Sequence, residues 1–345
     1  MEIIELLATA VKNGGSDIIF SVGIPPMIRY RGDLQPYGEE ILTPELSKRM
    51  IYALLDDEQK AKFEETLELD LSISIKNVGR FRINAYRQQG YVGAAFRTIM
   101  SKIPSIDTLG LPPVVHEFAN YPRGLVLVTG PTGSGKSTTL AAVIDKVNKE
   151  RRAHIVTIED PIEFVHPHKQ SCVDQREVGN DTLSFANALK YVLRQDPDVI
   201  LVGEMRDLET IAAAITLAET GHLVFSTLHT QSAAQTVDRI VDVFPPYQQQ
   251  QVRVQLSMSL KAVVSQQLLP AAGGKGRVAA REIMLMTPAV ANLIREGKTH
   301  MITNVIQTSR RDGMISMDGS LKELMQNGLV DPQVAIAKMQ SGSGL

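Results

Sequence analysis

One string constrains this chain more than any other: GPTGSGKST at 130–138. It satisfies G-x-x-x-x-G-K-[ST] and stands between an apolar run, GLVLVT (124–129), and the helical run TLAAVIDKV, so it predicts strand, phosphate-binding loop and helix in that order. Gly130, Gly133 and Gly135 let the backbone wrap an anion, with Pro131, Thr132 and Ser134 completing the loop. The amides at the helix start, where Thr138 closes the string, offer donors and the positive end of the helix dipole. Lys136 is placed to reach the β and γ phosphates of ATP, and Ser137 to bind Mg²⁺.

The grammar around the loop extends that reading. HIVTI (154–158), DVILV (198–202) and HLVFST (222–227) are buried-type runs separated by helical stretches, as a doubly wound α/β core with a parallel sheet requires. After residue 230 the strand signals thin. Helices are expected near 246–268, 288–296, 318–326 and 331–340, before an uninformative SGSGL tail. Residues 1–108 follow other rules. A helix near 1–13 precedes strands at 16–22 and 27–31. Thr43, Pro44 and Glu45 then mark a helix start, for a helix over 43–55. Residues 69–98 alternate apolar and polar positions as three antiparallel strands do. The expected organisation is a small α+β domain (1–108), a proline-rich linker (109–122) and an α/β domain with a C-terminal helical segment (123–345).

Composition removes several classes. Thirty-six basic against 38 acidic residues leave a net charge of −2, so no global basic field draws the chain to nucleic acid or anionic lipid. The single cysteine, Cys172, excludes an intramolecular disulfide and a four-cysteine zinc module and fits a reducing cytosol. Residues 1–20 carry Glu2, Glu5 and Asp17 where a signal peptide needs a basic start and an apolar run, and a cytoplasmic protein is expected.

Three further strings carry chemistry. DVILVGE (198–204) is a buried strand ending in an acid. Gly203 occupies the position where many P-loop proteins hold the Mg²⁺ aspartate, so Glu204 is read as the group that polarises the attacking water. TIEDPIEF (157–164) places Glu159, Asp160 and Glu163 at another strand end, where gathered like charges need a cation or a basic partner. Glu163, with Glu159, is the expected supplement to Ser137 around the metal. ETGHLVFSTLHT (219–230) brackets a strand with His222 and His229, and a neutral imidazole near the γ-phosphate can sense nucleotide state. His116, His154, His166, His168 and His300 show no ligand spacing with these two, which speaks against zinc there. In the first domain, Arg80, Arg82, Asn84 and Tyr86 share the face opposite Phe81, Ile83 and Ala85. Arg97 follows on the next strand, so Arg82 and Arg97 are candidate arginine fingers for a neighbouring subunit.

GPTGSGKST, TIEDPIEF, LRQDPDVILVGEMRD (193–207) and GHLVFSTLHT resemble, in that order, the Walker A, Asp box, Walker B and His box of the secretion ATPases of type II secretion and type IV pili. SVGIPPMIRYRGDL (21–34) resembles the signature of their N-terminal domain. AVANLIRE (289–296) resembles the AIRNLIRE motif of the pilus-retraction branch, which points to Asn292, Leu293, Arg295 and Glu296 as a coupling face. The resemblance implies a PAS-like N-terminal domain joined to a RecA-like ATPase domain, with nucleotide between the two. It implies a homohexameric ring at the cytoplasmic face of the inner membrane, with arginines at Arg82 and Arg97 completing the site. Such a ring pulls on an inner-membrane platform protein and, through it, draws pilin back into the membrane. The alternatives are an accessory retraction paralogue, a pilus extension or type II secretion ATPase, and a RecA-like nucleic-acid motor. An extension or type II enzyme is expected to carry a further N-terminal domain and a tetracysteine module. A nucleic-acid motor needs stacking platforms that 5% aromatic residues and no Trp do not supply.

Overall fold

In a computed structural model, residues 2–30, 32–99, 102–274 and 276–339 are described. They fall into two compact units, Met1–Lys102 with Glu163–Val165, and Ile103–Ile162 with His166–Leu345.

The first unit opens with α1 (Ile3–Lys12), which buries Ile3, Leu6, Leu7 and Ala10 at the helical spacing read from the sequence. Its strands are β1 (Gly15–Phe20), β2 (Met27–Tyr30) and β3 (Asp33–Pro36), then β4 (Glu68–Ile75), β5 (Gly79–Gln88) and β6 (Tyr91–Ile99). They form one antiparallel sheet ordered β3-β2-β1-β6-β5-β4. The strand expected over 27–31 ends at Tyr30, Arg31 lying outside the described residues. Phe81, Ile83 and Ala85 are buried on the core face of β5. Between the strand groups, α2 (Pro44–Tyr52) starts where its signals predicted, the Thr43 side chain accepting from Leu46 N. Helix α3 (Asp57–Thr66) was not anticipated. Its signal was present, because Asp56 and Gln59 form a reciprocal capping box.

The second unit holds α4 (Val114–Phe118), inside the segment read as a linker, with Val115 and Phe118 buried. Then come β7 (Gly124–Thr129), α5 (Lys136–Glu150), β8 (His154–Glu159), β9 (Cys172–Glu177), α6 (Phe185–Val192), β10 (Val199–Val202), α7 (Leu208–Glu219), β11 (Leu223–Leu228), α8 (Ala233–Asp242) and α9 (Pro246–Ser259). Two long strands follow, β12 (Leu260–Pro270) and β13 (Arg277–Leu285), and the helices α10 (Pro288–Arg295), α11 (Ile302–Thr308), α12 (Met317–Gln326) and α13 (Pro332–Ile336). The expected helix over 331–340 is thus a short α13, residue 340 and the SGSGL tail lying outside the described residues.

The sheet order is β13-β12-β7-β11-β10-β8-β9, parallel throughout except for the β12–β13 pair. Every residue of β7, β10 and β11 is buried, as strands with both faces covered must be. All the strands leading into the chemical motifs therefore end on the same edge of one sheet.

One sequence expectation fails here. Residues 260–268, read as the end of a helix beginning at 246, belong to β12, which joins the sheet beside β7. The run AVVSQQLL has neither glycine nor proline at its start. A strand covered on both faces shows the same continuous apolar pattern as a buried helix, so periodicity does not separate the two. β13, and the largely polar edge strand β9, were missed as well.

Candidate functional site

The phosphate-binding loop leaves the buried strand β7 at Thr129, whose hydroxyl is 2.8 Å from the Ser265 hydroxyl on β12. Gly130 has φ +140°, and a Cβ there would lie 2.2 Å from the Gln266 carbonyl oxygen and 2.7 Å from Ser134 Oγ. No side chain fits, so this glycine is demanded by the neighbouring strand. Gly133 and Gly135 have φ of +78° and +86°, left-handed values that suit glycine. Gly135 is the N-cap of α5 and makes no side-chain cap, so no side chain takes up the first-turn amides. Lys136 is buried, and its Nζ donates to the carbonyl oxygens of Gly130 (2.8 Å) and Pro131 (3.2 Å). The loop thus curls around its own ammonium. Ser134 Oγ is buried without a hydrogen-bond partner, while Ser137 and Thr138 are half-buried on the first turn of α5.

A residue that the sequence reading missed holds this loop. Gln266 is 1% exposed; its Nε2 donates to Ser134 O (2.7 Å) and its Oε1 accepts from Thr139 Oγ1 (2.9 Å). One side chain therefore grips the loop and the first turn of its helix together. No local signal marked it, because Gln266 lies in the stretch read as helix and 132 residues from Ser134 in the chain.

β10 delivers Gly203 and Glu204. The Gly203 amide donates to Ile158 O (2.8 Å), and a Cβ at this position would meet Ile158 O at 3.2 Å and Glu159 Cα at 3.3 Å. An aspartate at 203 would crowd β8, which gives a packing reason for the acid to stand one residue later. Glu204 is largely buried. Its Oε1 is 2.6 Å from Arg206 Nε and its Oε2 3.6 Å from His229 Nε2. Arg206 was also missed, although it lies in the motif GEMRD. His229 follows the last residue of β11, so adjacent parallel strands bring it to Glu204. His222 is at the other end of that strand, with Nδ1 3.0 Å from Leu217 O and 3.3 Å from Thr220 Oγ1. Seven residues at the rise of a strand put the two imidazoles about 20 Å apart.

Glu159 ends β8, and its Oε1 accepts from Thr157 Oγ1 (2.7 Å) and Gln175 Nε2 (3.2 Å). Asp160 and Glu163 are exposed, and Glu163 falls in the first unit. Among the described residues these three acids do not converge as a group of metal ligands; the one group that does is His154, Cys172 and Asp174. Arg82 and Arg97 face each other across β5 and β6. Arg97 Nε lies 2.9 Å from Asp17 Oδ1, and Arg82 Nη2 3.9 Å from Asp70 Oδ2. Both side chains remain substantially exposed.

AVANLIRE forms α10 as its signals predicted. The Thr287 side chain accepts from Val290 N (3.3 Å), and Pro288 takes the first turn. Val290, Ala291 and Ile294 are buried and Leu293 partly so, whereas Asn292, Arg295 and Glu296 are exposed. Asn292 Nδ2 donates to Glu296 Oε1 (2.7 Å). A hydrogen bond from Lys298, ahead of the one from Asn292, holds the Glu296 carboxyl below the usual carboxylate range.

The family described as Type II/IV secretion system protein matches residues 5–331. The type IV pilus retraction ATPase PilT of Pseudomonas aeruginosa is 53% identical over 338 residues, covering 98% of each chain. The type IV pilus ATPase PilU of the same organism is 42% identical over 345 residues, covering all of this chain and 90% of the other. A crystal structure of the pilus retraction motor PilT with bound ADP superposes with a TM-score of 0.93 at 45% identity, covering 99% of this chain and 98% of that one. The likeness runs through both units, the antiparallel α+β unit and the P-loop α/β unit alike. This chain belongs to the Type II/IV secretion system protein family.

Proposed function

We propose that this protein is an ATP-hydrolysing motor of type IV pilus retraction. The observation that carries the reading is the end-to-end likeness to the pilus retraction ATPase PilT, 98% of each chain at 53% identity. The geometry supports the chemistry. The glycine cradle, the uncapped start of α5 and the partnerless Ser134 hydroxyl suit a polyphosphate. Lys136 exchanges the carbonyls of Gly130 and Pro131 for phosphate oxygens when nucleotide enters. Glu204 orients the attacking water and draws its proton, while Arg206 and His229 hold the carboxylate. His229 stands where it can also report whether the γ-phosphate is present. Mg²⁺ bound with the nucleotide would offset the negative charge of the phosphates. Ser137 would be its protein ligand; Glu159 and Glu163, the other candidates from the sequence, do not converge as a ligand group among the described residues.

The working form in this reading is a homohexamer at the cytoplasmic face of the inner membrane. Arg82 and Arg97 of a neighbouring copy stabilise charge at the transferred phosphoryl group, and the polar face of α10 passes motion to the platform protein and so to pilin. Deleting the gene tests the assignment. Loss of a retraction motor leaves cells piliated and unable to twitch, whereas bald cells would identify an extension ATPase. Hydrolysis stimulated by single-stranded DNA would instead point to a nucleic-acid motor.

A further inference from the structure

Away from the nucleotide loop, at the beginning of β8 and not at its end, three side chains of different chemistry meet on the sheet edge. β8 and β9 run parallel with His154 opposite Cys172, and paired residues project to the same face of a sheet. Asp174 is two residues beyond Cys172 on β9 and so shares that face. His154 Nε2 lies 2.9 Å from Asp174 Oδ2, and one ligand atom from each of the three residues lies within 4.8 Å of the other two. The second nitrogen of the imidazole is already committed. Nδ1 is 2.9 Å from Gln195 O and 3.2 Å from Asp196 O, and carbonyl oxygens accept only, so Nδ1 carries a proton. Nε2 faces an acceptor too, the Asp174 carboxylate, so in the metal-free protein it donates there, and a cation replaces that proton to take the Nε2 lone pair between Cys172 and Asp174. A backbone carbonyl fixing the tautomer in this way is the usual second contact of a metal-binding histidine.

We propose that His154, Cys172 and Asp174 form a three-ligand site for a zinc-class divalent cation, with water as the fourth ligand. The donor set decides the class. A thiolate with an imidazole selects a borderline or soft ion, whereas Mg²⁺ and Ca²⁺ take oxygen ligands. Binding displaces the thiol proton, and the imidazolium proton where His154 is charged, and the cation takes the place of the His154–Asp174 contact. The bound ion pins β9, an edge strand, to β8 and, through His154 Nδ1, to the turn before β10. Glu159, at the catalytic end of β8, is about 16 Å away by strand rise, so the site is separate from the hydrolytic machinery and does not depend on the motor reading.

Cobalt(II) is the probe, titrated into the full-length protein without nucleotide. Cys172 is the chain's single cysteine, so a thiolate-to-cobalt charge-transfer band can arise only at this site. One equivalent of Co²⁺ should produce that band together with intense tetrahedral d–d absorption, and Zn²⁺ should bleach both. Cys172→Ser should abolish the band while ATP hydrolysis, the check on folding, is retained. Asp174→Asn should weaken Co²⁺ binding by about tenfold or more. In an independent measurement, Zn²⁺ should slow alkylation of Cys172 in the unmodified protein. The absence of a charge-transfer band, Co²⁺ affinity unchanged in Asp174→Asn, or alkylation indifferent to Zn²⁺ would each overturn the site.

Discussion

Two helices of the second unit, α5 and α10, begin at motifs and are built in opposite ways. α5 starts at Gly135 with no side-chain cap, and what fixes its first turn is a buried glutamine from a distant strand. α10 starts at Thr287, whose hydroxyl takes one of the free amides, and Pro288 removes another donor. The first helix leaves its first-turn amides without a side-chain cap and is held by the interior. The second is closed to an anion, anchors itself through Val290, Ala291 and Ile294, and leaves a polar face outside. The contrast is between a helix start left open and gripped from the interior through Ser134 and Thr139 and one closed by its own cap.

The sharpest way to break that contrast is Glu204→Ala. It should retain ATP and lose about 10²–10⁴-fold in kcat, whereas Lys136→Ala should fail at nucleotide binding. Turnover of Glu204→Ala at the wild-type rate would remove this carboxylate from the chemistry. Gln266→Leu comes next. It leaves the Ser134 carbonyl and Thr139 hydroxyl without their buried partner, at about 1–3 kcal/mol, and ATP affinity should fall roughly tenfold to a hundredfold with chain folding preserved. Nucleotide titration decides it, and unchanged affinity would mean that the loop holds its shape without β12.

The other side of α5 is gripped by the segment after the Asp box. Asn148 Nδ2 donates to Pro167 O (2.7 Å), Lys169 pairs with buried Asp145, and His166 packs beside them. Burial pushes the His166 imidazole down to about 4, with the nearby Asp145 charge opposing. The folded state therefore favours the neutral ring. Its contribution is complete above the ordinary histidine range, near 6.5, and is lost as pH falls through about 4, a swing of about 3 kcal/mol. Denaturant unfolding from pH 7 to pH 4 should show this acid limb, and His166→Leu should flatten it. The smallest effect on hydrolysis is expected on α10. Asn292→Ala and Arg295→Ala should leave soluble ATPase activity near normal while impairing retraction in cells. Hydrolysis collapsing in parallel would make α10 part of the catalytic or folding apparatus and erase the contrast with α5.

Much of this was legible before any coordinates. The phosphate loop, the strand-end acid, the Thr43 and Thr287 caps and the alternation of β5 are local signals, each decided within a few residues by propensity, capping or pleat. Gly203 was legible as a departure, but its reason was not: the Ile158 carbonyl that crowds it is 45 residues away in the chain. The same holds for Gln266 and for the meeting of His154 with Cys172 and Asp174. β12 was hidden because a strand buried on both faces has no period of its own, and only its hydrogen bonds to β7 and β13 distinguish it from a helix. Sequence alone determined the elements whose stabilising contacts are local and the chemical identity of the loop. The tertiary structure decided which distant side chains hold that loop, which histidine meets Glu204 and which side chains meet at the start of β8, because strand order and register bring together residues that no local spacing relates.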